Sequence, residues 1–128
     1  ATATPDGYTL LISSIATHAV SPQLYKDPGY DPLKNFTPIA LLGVAPVVMG
    51  VNQSVPAKTV AEFIALAKAK PESLTFGTSG AGTASHLAAE LFNTSIGKKI
   101  VAVHYAGGSN QMLTDLLTAR ITASSTAG

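Results

Sequence analysis

Residues 74–105, LTFGTSGAGTASHLAAELFNTSIGKKIVAVHY, decide the fold of this chain. Two short apolar runs, Leu74–Thr78 and Ile100–His104, predict strands. Between them Thr83–Ile96 predicts a helix that Gly97 closes as its C′ residue. A strand, a helix and a second strand in this order are typical of a βαβ unit with parallel strands. The helix side chains expected to be buried are Leu87, Leu91 and Ile96.

The same pattern extends on both sides of this stretch. Upstream, Thr59 and Glu62 form a capping box in front of an amphipathic helix that Pro71 ends. Downstream, Asn110–Thr118 predicts a third helix and Arg120–Ser124 a further strand. The expected core face of the upstream helix comprises Val60, Phe63, Ile64 and Ala67.

The first part of the chain has a different character. Tyr8–Ser13 follows an Asp6-Gly7 turn signal and predicts a short buried strand. Ile39–Val51 predicts one long buried strand, or two strands bent at Gly43 or Pro46. The intervening prolines exclude a long helix, and they are Pro22, Pro28, Pro32 and Pro38. We therefore expect one unit over residues 1–38, a strand plus a proline-rich segment, and a βαβ unit over residues 39–128.

Composition excludes several functional classes. The 128 residues are 46% hydrophobic and 12% charged, which indicates a single folded domain with a modest core. A net charge of +1 with scattered lysines argues against nucleic-acid binding. The absence of cysteine excludes disulfides and thiolate metal sites. The longest apolar run falls short of the roughly 20 residues that cross a bilayer. The N-terminus lacks a signal-peptide pattern, so we expect a cytoplasmic protein or a mature or internal piece of an exported one.

Three segments rich in glycine and small hydroxyl residues are the candidates for a binding site. They are residues 13–18, 77–83 and 105–110, each placed after a predicted strand. Ligands of open α/β sheets collect beyond the carboxyl ends of the strands. Main-chain N–H groups at a helix N-terminus attract anions, and glycine lets the main chain approach them. The pattern favours a carboxylate or phosphate site, and ordinary turns with helix caps are the alternative.

Other chemistry has weaker support in the sequence. The spacing of residues 77–83 fits neither a Walker loop nor a dinucleotide fingerprint. His86 and Glu90 stand four apart on one helix, a spacing that holds metals but is more often a surface pair. Ser79 does not lie in a nucleophile elbow. His18 and His104 are equally compatible with structural and functional roles, and Tyr105 either packs or lines the site.

Several blocks of the sequence resemble the receptors of tripartite tricarboxylate transporters, the Bug or TctC family. The resemblance spans nearly the whole chain in the family's order. Its blocks are Pro5-Asp6-Gly7-Tyr8-Thr9-Leu10-Leu11, Thr17-His18-Ala19, Tyr30-Asp31-Pro32, Phe36-Thr37-Pro38-Ile39-Ala40, Ser54-Val55-Pro56-Ala57-Lys58-Thr59-Val60, Gly82-Thr83, Ser85-His86-Leu87, Glu90-Leu91-Phe92 and Leu113-Thr114-Asp115-Leu116-Leu117.

The resemblance implies a type II periplasmic-binding-protein-like α/β fold, with a mostly parallel sheet, flanking helices and a carboxylate held between two lobes. Residues 1–38 would be a remnant of lobe one and residues 39–128 most of lobe two. It implies a periplasmic receptor that delivers solute to membrane permease subunits, with no catalytic residue, cofactor, metal or nucleic-acid partner. Carried over by position, the ligand-binding residues are Ser14, Ile15, Ala16, Thr17, Ser79, Gly80, Gly82, Thr83, Ser85 and His86.

The chain also departs from the family pattern. Family members are roughly twice as long or more, and Ala106 stands where they usually carry Lys or Arg. The resemblance therefore implies a truncated, internal fragment whose ligand binding is impaired or absent. Open sheet edges beside Tyr8–Ser13 or Ile39–Val51 would favour self-association. The alternative function is an α/β enzyme or regulatory domain that binds a phosphorylated ligand at the same loops, and a third is a folded fragment that only assembles.

Overall fold

The computed structural model describes residues 2–127 and divides the chain into two compact units, Ala1–Val44 and Ala45–Gly128. This division falls six residues after the one expected from the sequence, which lies between residues 38 and 39. The assignment of the two units to lobes stays a prediction.

The first unit contains little regular structure. A π-helical turn, Ala16–Val20, leads into a single turn of α-helix, α1 (Ser21–Leu24). The rings of His18 and Phe36 lie 4.8 Å apart, and Tyr30 meets Phe36 edge to face at 5.8 Å. The proline-rich segment is thus organised by aromatic contacts and not by a long helix.

The strand predicted over Tyr8–Ser13 is absent, and most of the strand predicted over Ile39–Val51 is absent as well. Tyr8 is 92% exposed, and Ile12 and Leu41 are each 82% exposed. A strand is stable only when a neighbour pairs with it and covers one of its faces. No segment of residues 2–127 pairs with residues 8–13, so the apolar pattern alone does not produce a strand there.

The second unit contains a four-stranded mixed sheet. Its strands are β1 (Val47–Val51), β2 (Thr75–Thr78), β3 (Val101–His104) and β4 (Ala123–Ala127), in the order β1-β4-β2-β3. Strand β2 lies parallel to both β3 and β4, as the βαβ pattern predicts. Strand β1 pairs antiparallel with β4. The predicted α/β fold with a mostly parallel sheet is therefore confirmed, and β1 is its one antiparallel member among the described strands.

Three helices connect these strands, and their ends follow local sequence signals. They are α2 (Val60–Ala69), α3 (Ala84–Ile96) and α4 (Ser109–Leu117). Thr59 caps α2 by accepting a hydrogen bond from the Glu62 amide, and the Glu62 carboxylate accepts one from the Lys58 amide. Gly97 closes α3 with a φ of +65°. No described helix has the length and apolar character needed to cross a membrane.

Helix α3 faces the sheet with small and polar residues and not with leucines. Its buried residues are Ser85, Ala89, Asn93 and Ile96. The predicted burial of Ile96 is confirmed, but Leu87 and Leu91 are 40% and 69% exposed. Small side chains let this helix approach the sheet closely, and hydrogen bonds satisfy the side chains of Ser85 and Asn93. On α2, Phe63 and Ala67 are buried as expected, whereas Val60 is exposed.

Candidate functional site

The ends of β2 and β3 bring two of the three predicted binding segments to the same edge of the sheet. Thr78, the last residue of β2, is in register with His104, the last residue of β3. Strand β4 runs parallel to β2, with Gly77 beside Ser124. The loops that begin at Ser79 and Tyr105 therefore both leave from the carboxyl edge, where open α/β sheets hold their ligands.

Six polar side chains lie at this edge in two groups, which the hydrogen bond from the His86 amide to the Thr83 hydroxyl joins, and we call them the strand-end cluster. Its members are Thr78, Ser79, Thr83, Ser85, His86 and His104. Ser85 lies at its centre: the Ser85 hydroxyl accepts from the Ser79 amide at 2.9 Å and lies 2.9 Å from the Thr83 hydroxyl. The Ser85 carbonyl oxygen accepts from the Ser125 hydroxyl at 2.7 Å. Because Ser85 is buried, these contacts fix the start of α3 against the sheet.

The loop between Ser79 and α3 depends on two glycines and one threonine. Gly80 and Gly82 have φ values of +133° and +78°, which other residues rarely adopt. Thr83 donates from its hydroxyl to the Gly80 carbonyl oxygen at 2.7 Å and accepts from the His86 amide. One side chain thus closes the loop and caps the helix.

Some main-chain N–H groups of this loop already donate hydrogen bonds to other residues of the chain. The Ser79 amide donates to Ser85, and the Gly82 amide donates to His86 Nδ1 at 3.0 Å. Among the described residues, no hydrogen bond uses the remaining donors at this junction, the amides of Gly80, Ala81, Ala84 and Ser85. A helix N-terminus with unused amides favours an anion electrostatically.

The two histidines of the cluster meet edge to face. Their ring centroids are 4.6 Å apart at 80°, and His104 Nδ1 lies 2.7 Å from the Thr78 hydroxyl. The Glu90 carboxylate lies 3.9 Å from His86 Nε2, so the predicted helix-face pair of His86 and Glu90 is present. Within residues 2–127, no group of three acidic or histidine side chains is placed to hold a metal ion.

The first predicted binding segment has a different setting. Residues Ser14 to Thr17 belong to the unit Ala1–Val44, and they do not follow a strand. Ser14 and Thr17 bond reciprocally: the Ser14 amide donates to the Thr17 hydroxyl, which donates back to the Ser14 carbonyl oxygen. This pair begins the π-helical turn, and Ile15 beside it is exposed. Their role as ligand contacts stays a prediction.

The third segment begins with a residue that packs and does not line the edge. Tyr105 is buried against Met112, Leu116 and Ile121. Its hydroxyl donates to the Asp115 carboxylate at 2.8 Å. Burial, followed by this hydrogen bond, raises the pKa of the Tyr105 phenol above its ordinary value of 10.0. Tyr105 is therefore a structural anchor for α4.

Sequence reasoning included Thr78 in a candidate segment without giving it a separate role, left His104 open and gave no role to Ser125. All three stand at or near the ends of strands that lie side by side in the sheet. The order of strands and helices could have indicated Thr78 and His104 together, since neighbouring parallel strands end at one edge. Ser125 could not have been found that way, because its contact with Ser85 joins residues 40 positions apart.

Comparison with known proteins gives one family and several relatives. The model of the tripartite tricarboxylate transporter family receptor, TctC, matches residues 1–127. The chain is 36% identical over 121 residues to a UPF0065 protein from the TAR-I ttuE-ttuC′ intergenic region of Agrobacterium vitis, covering 94% of the chain and 34% of that protein. It is 34% identical over 113 residues to BugT of Bordetella pertussis, covering 88% of the chain and 34% of BugT. The chain thus spans about one third of these relatives' length.

Solved structures with a similar fold include two with a carboxylate. R. palustris Rpa4515 with adipate has a TM-score of 0.83 and 38% identity, covering 95% of this chain and 40% of its own. A structure described as a periplasmic transporter has a TM-score of 0.86 and 35% identity, and the match covers 98% of this chain and 42% of the transporter chain. MatC from Rhodopseudomonas palustris with bound malate has a TM-score of 0.72 and 26% identity, with coverage of 85% and 37%.

Proposed function

Because this chain belongs to the tripartite tricarboxylate transporter receptor family, we propose that it supplies part of a periplasmic receptor that captures a small carboxylate for membrane permease subunits. The family is one of receptors and not of enzymes. The observation that carries the proposal is the carboxyl edge of the sheet, where a glycine loop with unused amides leads into α3.

The chemistry of this edge suits a carboxylate. The amides of Gly80 and Ala81 lie in the loop, and those of Ala84 and Ser85 begin a 13-residue helix. Such donors hold a carboxylate without a fixed positive charge, since the partial charge at a helix N-terminus is about half an elementary charge.

The ligand class that we propose is the small dicarboxylates. Adipate and malate accompany two structural neighbours, and both carry two carboxylates on a short carbon chain. In our proposal the strand-end cluster holds one carboxylate of the solute. We also propose that binding by this chain alone is weaker than in its relatives, because it spans only about one third of their length.

Binding can be tested on the ¹⁵N-labelled chain by amide shifts on addition of adipate or malate, a method that detects dissociation constants near about 1 mM. We expect shifts at Gly80, Ala81, Ala84 and Ser85 with both acids. Adipamide, the neutral diamide of adipate, serves as the matched control and should cause none. Shifts with phosphate or a nucleotide alone would favour the phosphorylated-ligand alternative, and a folded chain that responds to no acid would contradict the proposal.

We also propose that two copies of the chain associate through β1. Strand β1 is the outermost strand on its side of the sheet, so its outer N–H and C=O groups face away from β4. Val48 on this strand is 54% exposed. Residues 39–57 carry no charged side chain, and charges are the usual device that prevents edge pairing. Antiparallel pairing of β1 with its copy would satisfy these groups.

A further inference from the structure

The conformation of the loop after β2 depends on one nitrogen atom of His86. The Gly82 amide donates to His86 Nδ1 at 3.0 Å. Only an unprotonated ring nitrogen accepts a hydrogen bond, so neutral His86 carries its proton on Nε2. The bond joins the left-handed Gly82 to the first turn of α3, four residues further on.

Few ionisable groups face His86 in the described structure. Its own helix contributes Glu90, whose carboxylate lies 3.9 Å from Nε2. Strand β3 contributes His104, whose ring centroid is 4.6 Å away. The other strands packed against α3 are β1, β2 and β4, and their sequences, VVMGV, TFGT and ASSTA, contain no ionisable side chain. Glu90 and His104 are therefore the ionisable groups that face His86 among the described residues.

We infer that His86 is a positioning residue that holds the Ser79–Thr83 loop through the Gly82 amide and releases it when Nδ1 is protonated. Protonation converts the acceptor into a second N–H donor that faces the donor of Gly82. The hydrogen bond is then lost and two donors oppose each other. His86 thereby couples the loop of the proposed carboxylate site to pH, a role that does not require His86 to touch the solute.

The effect on ligand affinity rests on the proposed function. A protonated His86 also brings a positive charge, but the Glu90 carboxylate beside Nε2 pairs with that charge and limits its attraction for a ligand. We expect the loss of the loop's hydrogen bond to be the larger of the two effects. Losing a single such bond corresponds to about a 3- to 10-fold change in an equilibrium constant. We therefore expect carboxylate affinity to fall on acidification.

The hydrogen bond between the Gly82 amide and His86 Nδ1 can be tested without any ligand. In ¹⁵N-labelled protein, ring ¹⁵N shifts report the tautomer of His86, and the Gly82 amide shift reports the bond between about pH 8 and pH 5. We expect the Nε2–H tautomer at the higher pH and a Gly82 shift that follows the titration of His86. His86→Asn offers a non-titrating oxygen near the position of Nδ1, so its Gly82 shift should not move with pH. His86→Leu should show the acid position of Gly82 throughout.

His104→Asn is the matched control for the neighbouring imidazole, and the Gly82 shift should still follow pH in this variant. A Gly82 amide that does not respond to pH, or that responds equally in His86→Asn, would overturn the inference. In a second arm, the ratio of adipate dissociation constants at the two pH values should be about 3- to 10-fold larger in the wild type than in His86→Asn, whose ratio reports the protonation of adipate itself. If the Gly82 amide responds to pH but the chain does not bind adipate, the result would count against the proposed function and not against the role of His86 in the loop.

Discussion

Asn93 on α3 and Ile100 before β3 exchange two hydrogen bonds. The Ile100 amide donates to Asn93 Oδ1 at 3.0 Å, and Asn93 Nδ2 donates to the Ile100 carbonyl oxygen at 3.1 Å. Both residues are buried. The Asn93 side chain thus forms with Ile100 the two hydrogen bonds that a neighbouring strand would otherwise form. It also fixes the turn that follows Gly97.

Asn93→Ala should lower the free energy of unfolding by about 2–4 kcal/mol, because it leaves a buried N–H and a buried C=O without partners. Urea denaturation monitored by circular dichroism measures this change. Ser95→Ala, at an exposed position of the same helix, is the control and should stay within about 0.5 kcal/mol of the wild type. Equal effects of the two variants would contradict this account.

Loss of the Thr83 hydroxyl should affect both stability and ligand binding. Thr83→Val removes the cap of α3 and the bond to the Gly80 carbonyl oxygen, and should cost about 1 kcal/mol. We also expect weaker adipate shifts, since the loop loses a contact that closes it. Thr59→Val removes the cap of α2 and should cost a similar amount without changing adipate shifts. Thr83→Ser should restore both properties, and a Thr83→Val variant with normal binding would separate Thr83 from the site.

Stability should fall at alkaline pH because of Tyr105. Its folded-state pKa is raised above 10.0, so its contribution is complete below that value and is lost as pH rises through the folded-state pKa. Urea unfolding followed from pH 8 to 11 should show a steeper loss in the wild type than in Tyr105→Phe, which has no phenol to ionise. Tyr105→Phe should itself cost about 1–2 kcal/mol at neutral pH, since Asp115 loses a hydrogen bond. Parallel pH profiles of the two proteins would argue against this role.

Self-association through β1 predicts a difference between two equally exposed valines. Val48 on β1 and Val101 on β3 are both 54% exposed and lie on opposite edges of the sheet. Val48→Lys should shift the wild-type dimer to monomer in sedimentation velocity, because a lysine on an edge strand opposes pairing. Val101→Lys should leave the dimer intact. A monomeric wild type, or dissociation caused by Val101→Lys instead, would exclude the β1 interface.

Local signals in the sequence determined the helix ends and the order of elements. Thr59, Thr83 and Gly97 act at the helix termini as predicted, since a cap involves residues within one turn of one another. The order of strands and helices over residues 74–105 likewise follows from short runs and their spacing. These features need no knowledge of distant residues. They also identified the Ser79–Thr83 loop as part of a candidate binding site.

Only the tertiary structure decided which surfaces are buried and which strands pair. The sequence pattern of α3 favours Leu87 and Leu91 as core residues, but Ser85 and Asn93 are buried instead. The buried Asn93 side chain bonds to Ile100, which lies beyond the helix, and the Ser85 carbonyl oxygen accepts from Ser125, 40 positions away. The same limit applies to Tyr8–Ser13, whose apolar pattern has no partner strand in the described chain. It applies as well to the contact between His86 and His104, which exists because parallel β2 and β3 end together. Burial and pairing are properties of two surfaces, whereas a run of sequence describes only one of them.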